Sequence, residues 1–162
     1  MLREFKAAHV LMNERVICIE TYSGRGLMGR DPDGICDFRE LDEANATLGS
    51  LLRRALEASR WISLEEYPLF FDIERSKETN RLWVEAACQR SGFKSRKALF
   101  KEMMSCSVRC AEGRITIKPS VHVKLEGWTG DGIAPTEYVE LSTEDSDEAL
   151  GEGIRLALSR CR

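Results

Sequence analysis

Hydrophobic positions follow two different periods along the chain, and they predict strands near the start and helices further on. Residues 5–22 read as two strands around a Met-Asn-Glu turn, because β-branched residues dominate the second strand and its side chains alternate between two faces. The segment 23–34 is punctuated by glycine and proline and reads as a loop. Residues 41–60 place leucine and alanine at helical spacing, which predicts an amphipathic helix.

The middle of the chain, residues 63–104, has helical spacing and no strand pattern. Ser63 and Glu66 have the spacing of a capping box at the start of a first, short piece. A longer helix then ends at Gly92, which is a suitable C-terminal cap, and Ser95 begins another. This segment therefore predicts a helical insertion between two strand-rich parts.

The stretch CSVRCAEGRITIKPS, residues 106–120, has two cysteines four positions apart. A zinc site would need a tight pair of cysteines or helical spacing, with two further ligands. Cys106, Val108 and Cys110 instead alternate as on one face of a strand, and a short Ala-Glu-Gly hairpin loop and a second strand follow. We therefore predict that these thiols pack in a core, and that all six cysteines are free.

The end of the chain repeats its beginning. A further strand around 121–126 and a loop at 126–137 precede residues 142–162, which have an acidic start and an amphipathic helix. Residues 48–60 and 150–162 share Leu-Gly, an aliphatic residue, then Arg, Ala and Leu. A glycine inside a helix is unfavourable by about 1 kcal/mol, so Gly49 and Gly151 need a packing reason.

These patterns together predict an α+β fold. An antiparallel β-sheet carries helices packed on it, and two pseudo-repeated β-β-α units surround the helical middle segment, with both repeat helices on one face. The alternative is that two amphipathic helices share leucines and arginines by chance. We expect one domain, residues 1–162.

Composition is that of a globular protein, with 43% hydrophobic and 31% charged residues and a net charge of −3. No stretch approaches the roughly 18 apolar residues of a membrane span, and the N-terminal residues do not have the pattern of a secretory signal. We therefore expect a cytoplasmic protein.

No pattern of catalytic residues is visible. His9 and His122 both lie in predicted strands, away from any nucleophile–base or acid–base arrangement. The segment SGRGLMG lacks the Gly-Lys-Ser/Thr ending of a phosphate-binding loop. The sequence therefore predicts no enzyme, no cofactor and no metal.

Charge is uneven along the chain. Residues 90–101 carry five basic residues and no acid, with Phe93 and Phe100 between them. This pattern is typical of a solvated helix end, and the alternative is a single-stranded nucleic-acid-binding segment. Two acidic runs occupy equivalent places in the repeat, before each of its helices. If those helices lie parallel, the runs form one negative surface that suits a basic protein partner. The alternative, equally simple, is that these acidic residues only solubilise the helix N-termini.

The loop WTGDG, residues 128–132, is a second candidate for recognition, because loops often carry binding residues. The alternative is a tight turn in which the tryptophan serves as a packed anchor. The binding residues that we predict from charge and from this loop are Asp31, Asp33, Asp37, Trp128, Asp131, Glu144, Asp145, Asp147 and Glu148.

Several pieces of the chain, in this order, resemble one protein family. They are FKSRKALFKEM, GRITIKP, the LEGW-G-G pattern and the closing GIRLALSRC. The chain resembles the CdiI family, the immunity proteins of bacterial contact-dependent growth inhibition. The resemblance implies a small cytoplasmic, non-enzymatic protein that binds and neutralises the C-terminal toxin domain of a cognate CdiA protein. Such toxins are commonly basic nucleases. The family has no catalytic residues to carry over, and its toxin contacts vary between members.

Overall fold

A seven-stranded antiparallel sheet forms the centre of the computed structural model, which describes residues 2–162. The strands of this sheet and of a separate two-stranded sheet are β1 (Lys6–Met12), β2 (Ile17–Arg25), β3 (Leu27–Arg30), β4 (Cys36–Arg39), β5 (Met104–Ala111), β6 (Arg114–Lys118), β7 (Val121–Lys124), β8 (Gly127–Thr129) and β9 (Val139–Ser142). The helices are α1 (Asn45–Glu57), α2 (Tyr67–Phe70), α3 (Ile73–Ser91), α4 (Arg96–Phe100) and α5 (Asp147–Ser159), with a short 3-10 helix at Pro135–Glu137.

The predicted α+β architecture is confirmed, and the two repeat units join at the centre of the sheet. The strand order is β3-β2-β1-β5-β6-β9, with β4 beside the first part of β2 and β7–β8 forming the separate hairpin. Each unit has a hairpin, one further strand and then a helix: β1-β2-β4-α1 in one and β5-β6-β9-α5 in the other. The units are thus β-β-β-α, with one more strand than the sequence pattern predicted.

Helices α1 and α5 cover one face of the sheet and share one core with it. Ile17 and Ile19 of β2 point into this core, as do Ile115 and Ile117 of β6. These pairs are therefore equivalent in the two units. The sequences RVICI and RITIK suggest a different alignment, with Arg15 opposite Arg114. That alignment is shifted by one residue, and because strand side chains alternate, it would place equivalent side chains on opposite faces of the sheet.

The repeated glycines lie where α1 and α5 cross. A Cβ on Gly49 would lie 1.8 Å from the backbone oxygen of Asp147, and one on Gly151 would lie 2.0 Å from that of Asn45. Each glycine therefore contacts the first residue of the other helix. The fifth residue of each helix thus lies against the first residue of the other. In a parallel pair, one of these contacts would shift the helices by a turn in one direction and the other contact in the opposite direction, so the two helices are antiparallel. The helices therefore do not have the parallel arrangement on which the prediction of one shared acidic surface depended.

The repeated arginines have equivalent roles on the two helices. The Arg53 guanidinium donates to the carbonyl oxygens of Thr143 and Asp145, both at 2.8 Å, in the segment that leads into α5. The Arg155 guanidinium donates in the same way to the carbonyl oxygens of Leu41 and Glu43, before α1. Each repeat helix thus stabilises the chain entering the other helix, which explains why the two sequences share this arginine.

The helical middle segment covers part of the second face of the sheet. Trp83 and Val84 of α3 and Phe100 of α4 pack against Leu11 and Phe38 in a second core. The side chain of Asp72 caps the start of α3, Gly92 ends that helix with φ of +81°, and the hydroxyl of Ser95 caps α4. The Gly92 and Ser95 boundaries agree with the sequence prediction.

Four short strands depart from the predictions. The predicted loop 23–34 contains the end of β2 and all of β3, the predicted loop 126–137 contains β8, and neither β4 nor β9 was expected. These strands have three or four residues each and include charged or glycine positions. They form because neighbouring strands supply the hydrogen bonds, which local sequence patterns do not report.

The cysteines of β5 lie on one strand face, as predicted. Cys106 and Val108 are buried in the core under α1 and α5, and Cys110 is partly buried against it. Within residues 2–162 all six cysteines are unpaired. None of the helices in this part of the chain has both the length and the apolar character needed to cross a membrane.

Candidate functional site

The acidic residues predicted for binding lie in separate parts of the structure: the turn after β3, strand β4, the loop after β8 and the start of α5. Asp31 is buried, accepts hydrogen bonds from Ser23 and Arg60, and so stabilises the turn after β3. The hydrogen bonds from Arg60 and Ser23 hold its pKa below the usual range despite burial, which raises it. Asp31 is therefore not available as a surface contact. Asp33 beside it is exposed, with its carboxylate 3.9 Å from Arg60.

Asp37 lies on β4 and forms an ion pair with Arg39 at 3.0 Å. Its carboxylate is therefore partly neutralised. Asp131 lies in the exposed loop after β8, and its backbone N–H donates to the Thr129 hydroxyl. Asp37 and Asp131 are both distant in the sequence from the acidic residues 144–148 at the start of α5.

The acidic start of α5 keeps several carboxylates at the surface. We call Glu144, Asp145, Asp147 and Glu148 the acidic end. Glu144 and Glu148 are exposed, and Asn45 of α1 lies 3.5 Å from the Glu148 carboxylate. Asp147 accepts a hydrogen bond from Arg53, and Asp145 accepts one from the Ser142 N–H. Glu144 and Glu148 are therefore the carboxylates here with the weakest ties inside the fold.

Trp128 is a packed residue on the second face of the sheet. Its indole N–H donates to the Met103 carbonyl oxygen at 2.9 Å, and its ring stacks on His122 with 4.9 Å between ring centroids. The anchor interpretation of this tryptophan therefore describes its place in the fold, and it does not lie beside the acidic end.

Two of the five basic residues of segment 90–101 contact the rest of the chain, and Lys94, Lys97 and Lys101 are exposed. Arg90 donates to the Phe38 carbonyl oxygen, and Arg96 forms an ion pair with Glu126. Phe100 is buried, and the Arg15 guanidinium covers Phe93 at 4.0 Å from the ring centroid. Phe100 is therefore not free to stack on a base, and one face of Phe93 is covered.

A cleft of about 410 Å³ opens on the second face of the sheet, between α3 and the β7–β8 hairpin. We call it the central cleft. Its floor comes from β1 and β2, and Arg30 of β3 reaches in from one side. The side chains that line it are His9, Leu11, Tyr22, Arg30, Asn80, Phe100, Glu126 and Trp128.

Arg30 is the charged centre of the cleft wall. Its guanidinium donates to Glu20 at 2.8 Å and to the Asn80 side-chain oxygen at 3.1 Å, and it lies 4.4 Å from the centroid of the Trp83 ring. Glu20 is fully buried. Burial raises the pKa of Glu20, although Arg30 opposes this shift. A buried ion pair contributes little net stability, so stability alone does not explain why Arg30 and Glu20 occupy these positions.

His9 and Tyr22 line the floor of the cleft with their rings 4.7 Å apart. Nε2 of His9 is within hydrogen-bond distance of the Ser105 hydroxyl, whereas the buried Nδ1 has no partner among residues 2–162. Burial, with a smaller effect of Arg30, lowers the pKa of His9 to about 3. Burial also raises the pKa of Tyr22. Both rings are therefore neutral, and the cleft places them beside Arg30 and beside Glu126, whose carboxylate is paired with Arg96.

A metal ion is poorly accommodated by the nearest candidate ligands. The ligand atoms of Cys18, Glu20 and Cys36 lie within 4.8 Å of one another. However, the Glu20 carboxylate is already paired with the Arg30 guanidinium. Burial also raises the pKa of the Cys18 thiol, whereas a metal ion binds the deprotonated thiolate. This cluster serves the packing of β2 against β4.

Sequence reasoning missed the central cleft. His9 was considered only as a candidate base, and Arg30 and Asn80 were not singled out. The available signals were weak: Glu20 is the one acidic residue of β2, and Arg30 ends a glycine-rich segment. Their proximity depends on the pairing of β2 with β3 and on the position of α3, neither of which the sequence pattern specifies.

Comparison with known proteins places the whole chain in one family. The family model for CdiI, the CDI immunity protein, matches residues 6–161. The chain is 38% identical over 167 aligned residues to immunity protein CdiI-YPIII of Yersinia pseudotuberculosis serotype O:3 (strain YPIII), covering 96% of this chain and 94% of that one.

Two solved structures have the same fold. One is a protein of unknown function, NMB0488 from Neisseria meningitidis, with a TM-score of 0.92, 38% identity, and coverage of 100% of this chain and 98% of that one. The other is a chain of the CdiA-CT/CdiI toxin and immunity complex from Yersinia pseudotuberculosis, with a TM-score of 0.91, 36% identity and full coverage of both chains. The chain therefore belongs to the CdiI family of CDI immunity proteins.

Proposed function

We propose that this protein binds the C-terminal toxin domain of a cognate CdiA protein and neutralises it, acting in the cytoplasm as a single, non-catalytic domain. The observation that carries this proposal is the match over the full length of both chains to a chain of a solved toxin and immunity complex. The fold is thus one that, in a relative, is found together with a toxin.

The toxin that we propose is a nuclease with a basic surface. In support, Glu144 and Glu148 remain exposed at the acidic end, whereas Asp31, Asp37 and Asp147 are paired with arginine. Opposite charge on two partners speeds their encounter and limits wrong orientations. The acidic end therefore supplies steering toward a basic partner.

The main contact that we propose is the central cleft. Buried polar atoms are normally hydrogen-bonded, so the unpartnered Nδ1 of His9 and the buried Arg30–Glu20 pair are features that folding alone does not explain. Binding sites are typically concave and have a few polar groups that converge on the ligand, and a protruding segment of a partner buries more surface in such a site than on a flat one. The cleft thus supplies affinity, and the acidic end supplies association rate.

Reversing charge at the acidic end is expected to slow toxin association. The double variant Glu144→Lys, Glu148→Lys removes the exposed carboxylates without touching the Arg53 contacts. We expect an association rate about tenfold lower at low salt, a smaller difference at high salt, and a nearly unchanged dissociation rate. Surface plasmon resonance with the immobilised toxin domain measures all three.

The matched control is Glu14→Lys, Glu65→Lys, which makes the same change in net charge at exposed positions outside the acidic end. It is expected to slow association less. An equal effect of the two double variants would show that only net charge matters, and an unchanged rate in the first would show that the acidic end does not steer the toxin.

Filling the central cleft is expected to weaken toxin binding. Asn80→Trp places a large ring on the α3 wall of the cleft, where it occupies space that the partner needs. We expect at least a tenfold rise in Kd, because a blocked central contact is a major loss in an interface. Isothermal titration calorimetry with the purified toxin domain measures it.

Gln89→Trp is the control, because it adds the same ring at an exposed position of the same helix that does not line the cleft. This variant is expected to bind as the wild type does. Unchanged binding by a folded Asn80→Trp variant would contradict the assignment of the cleft as the main contact.

A further inference from the structure

Two thiols meet beneath the C-terminal end of α5, on the sheet face opposite the central cleft. Cys106 of β5 and Cys161, two residues after α5 ends, are 55 positions apart in the sequence, and their Sγ atoms lie 3.5 Å apart. Cys106 is fully buried, and Cys161 is partly exposed. A disulfide has its sulfur atoms about 2.05 Å apart, so bond formation requires the two side chains to move closer together.

A cavity gives small molecules access to this pair. It has a volume of about 280 Å³, and its lining includes Met12, Met104, Leu158 and Cys161. Arg155 also lines it and brings a positive charge to the same space. The cavity is large enough for a small oxidant such as hydrogen peroxide, and Cys161 lines it, whereas the fully buried Cys106 does not.

The two thiols differ in reactivity. The hydrogen bond from Cys106 lowers the pKa of Cys161 to about 7, and the same contact, together with burial, raises the pKa of Cys106. Since the thiolate is the nucleophile, Cys161 reacts first with an oxidant, and Cys106 remains protonated beside it as the resolving thiol.

We propose that Cys106 and Cys161 form a peroxide-sensitive modification site, which closes to an intramolecular disulfide that joins the end of α5 to β5. The Cys161 thiolate attacks one oxygen of hydrogen peroxide, the O–O bond breaks, and hydroxide leaves, giving a sulfenic acid. Cys106 then attacks this sulfur, loses its proton, and displaces hydroxide. Two thiols and one peroxide thus give one disulfide and two water molecules.

Cys18 and Cys36 form the natural comparison, because their Sγ atoms are also close, at 3.9 Å. There the thiol of Cys18 donates to Glu20, and burial raises its pKa, while Cys36 is exposed on β4. Glu20 accepts the hydrogen bond from Cys18, and the two sulfur atoms lie farther apart than those of Cys106 and Cys161, so this pair is expected to form a disulfide more slowly.

The test is oxidation of the purified full chain with hydrogen peroxide, followed by blocking of free thiols, trypsin digestion and mass spectrometry without reduction. Cleavage after Lys101, Arg109 and Arg160 separates the two cysteines, so the disulfide appears as peptide 102–109 joined to peptide 161–162. Closing this long loop is also expected to raise the Tm by about 5 °C, a rise that a reductant reverses.

Cys161→Ser is expected to lose the joined peptide and the rise in Tm, and Cys36→Ser is expected to keep both. Because Ser replaces Cys161 at a partly exposed position, a folded variant is expected. Three results would overturn the proposal: thiols that stay free, a joined peptide from Cys18 and Cys36 alone, or oxidation of Cys161 to a sulfonic acid without the disulfide.

Discussion

Replacing Gly49 or Gly151 with alanine is expected to destabilise the fold by about 3 kcal/mol or more, although alanine is the better helix former by about 1 kcal/mol. The added Cβ would meet backbone atoms of the facing helix at 1.8 Å or 2.0 Å. Backbone atoms cannot rotate away as a side chain does, so α1 and α5 must separate, and the core between them and the sheet loses its packing. Urea unfolding followed by circular dichroism measures the loss.

Two other glycines provide graded controls for this prediction. A Cβ on Gly153 would meet the side chain of Leu141 at 2.6 Å, which can move, so Gly153→Ala is expected to have a smaller effect. Gly130 has no neighbour within 4 Å of its Cβ position, and Gly130→Ala is expected to change the free energy of unfolding by less than about 0.5 kcal/mol.

The double variant Gly49→Ala, Gly151→Ala tests the reciprocal contact itself. Once one Cβ has separated the helices, the other Cβ meets less resistance, so the combined loss is expected to be smaller than the sum of the two single losses. Full additivity would contradict a shared crossing point, and wild-type stability in either single variant would contradict the close approach of α1 and α5.

Replacing Arg30 with leucine is expected to cost about 3–5 kcal/mol at neutral pH, because the buried Glu20 would then have either to carry an unpaired charge or to take up a proton. The variant also loses the hydrogen bond to Asn80 and the contact with Trp83. As a control, Arg81→Leu removes an exposed arginine paired with Glu78 and Glu85 on α3 and is expected to leave the Tm unchanged.

The loss in Arg30→Leu is expected to depend on pH with a defined sign. Burial raises the pKa of Glu20 in the folded state, and removal of Arg30 removes the main opposing influence. Above the pKa of an ordinary glutamate, the unfolded chain has released this proton and the folded chain has kept it, so stability falls as pH rises, by at most about 1.4 kcal/mol per pH unit. The variant is therefore closest to the wild type near pH 4.5 and least stable at pH 8.

The matched control for this pH effect is Arg30→Leu combined with Glu20→Gln, because glutamine has the shape of the protonated glutamate and does not titrate. Its stability deficit relative to the wild type is expected to grow less between pH 5 and pH 8 than the deficit of Arg30→Leu. A pH-independent deficit in Arg30→Leu alone would show that the Glu20 carboxylate reaches water and is not a buried partner of Arg30.

The sequence was most informative where local pattern and packing agree. The glycines and arginines shared by the two repeat helices indicated a common packing constraint, and the structure gives its cause: each glycine admits the start of the other helix, and Arg53 and Arg155 each bind carbonyl groups there. The alternation around Cys106 likewise predicted the correct strand face, because a buried face imposes its period on the sequence.

Other features depend on contacts between distant segments. Strands β4 and β9 are short and partly charged, and only pairing with β2 and β6 makes them strands. Asp31 has the sequence setting of a surface acid in a turn, yet Arg60 from beyond α1 reaches over and buries it. A charge count therefore overestimates the acidic surface, since it does not show which carboxylates are paired.

The central cleft was beyond prediction for the same reason. His9, Arg30 and Asn80 come from three elements, and their meeting requires the β1–β2–β3 register and the position of α3 together. The direction of the repeat helices was also undetermined, because an amphipathic pattern specifies which face is buried and does not specify the direction of the helix across the sheet.

Growth protection is the measurement that tests the central claim most directly. The cognate CdiA C-terminal toxin domain is induced in a test strain with this protein, with the Asn80→Trp variant, or with no immunity protein. The account predicts normal growth with the wild-type chain, growth arrest without it, and weaker protection by Asn80→Trp at equal protein level. Growth arrest in the presence of folded, abundant wild-type protein would contradict the proposal that this chain neutralises the toxin.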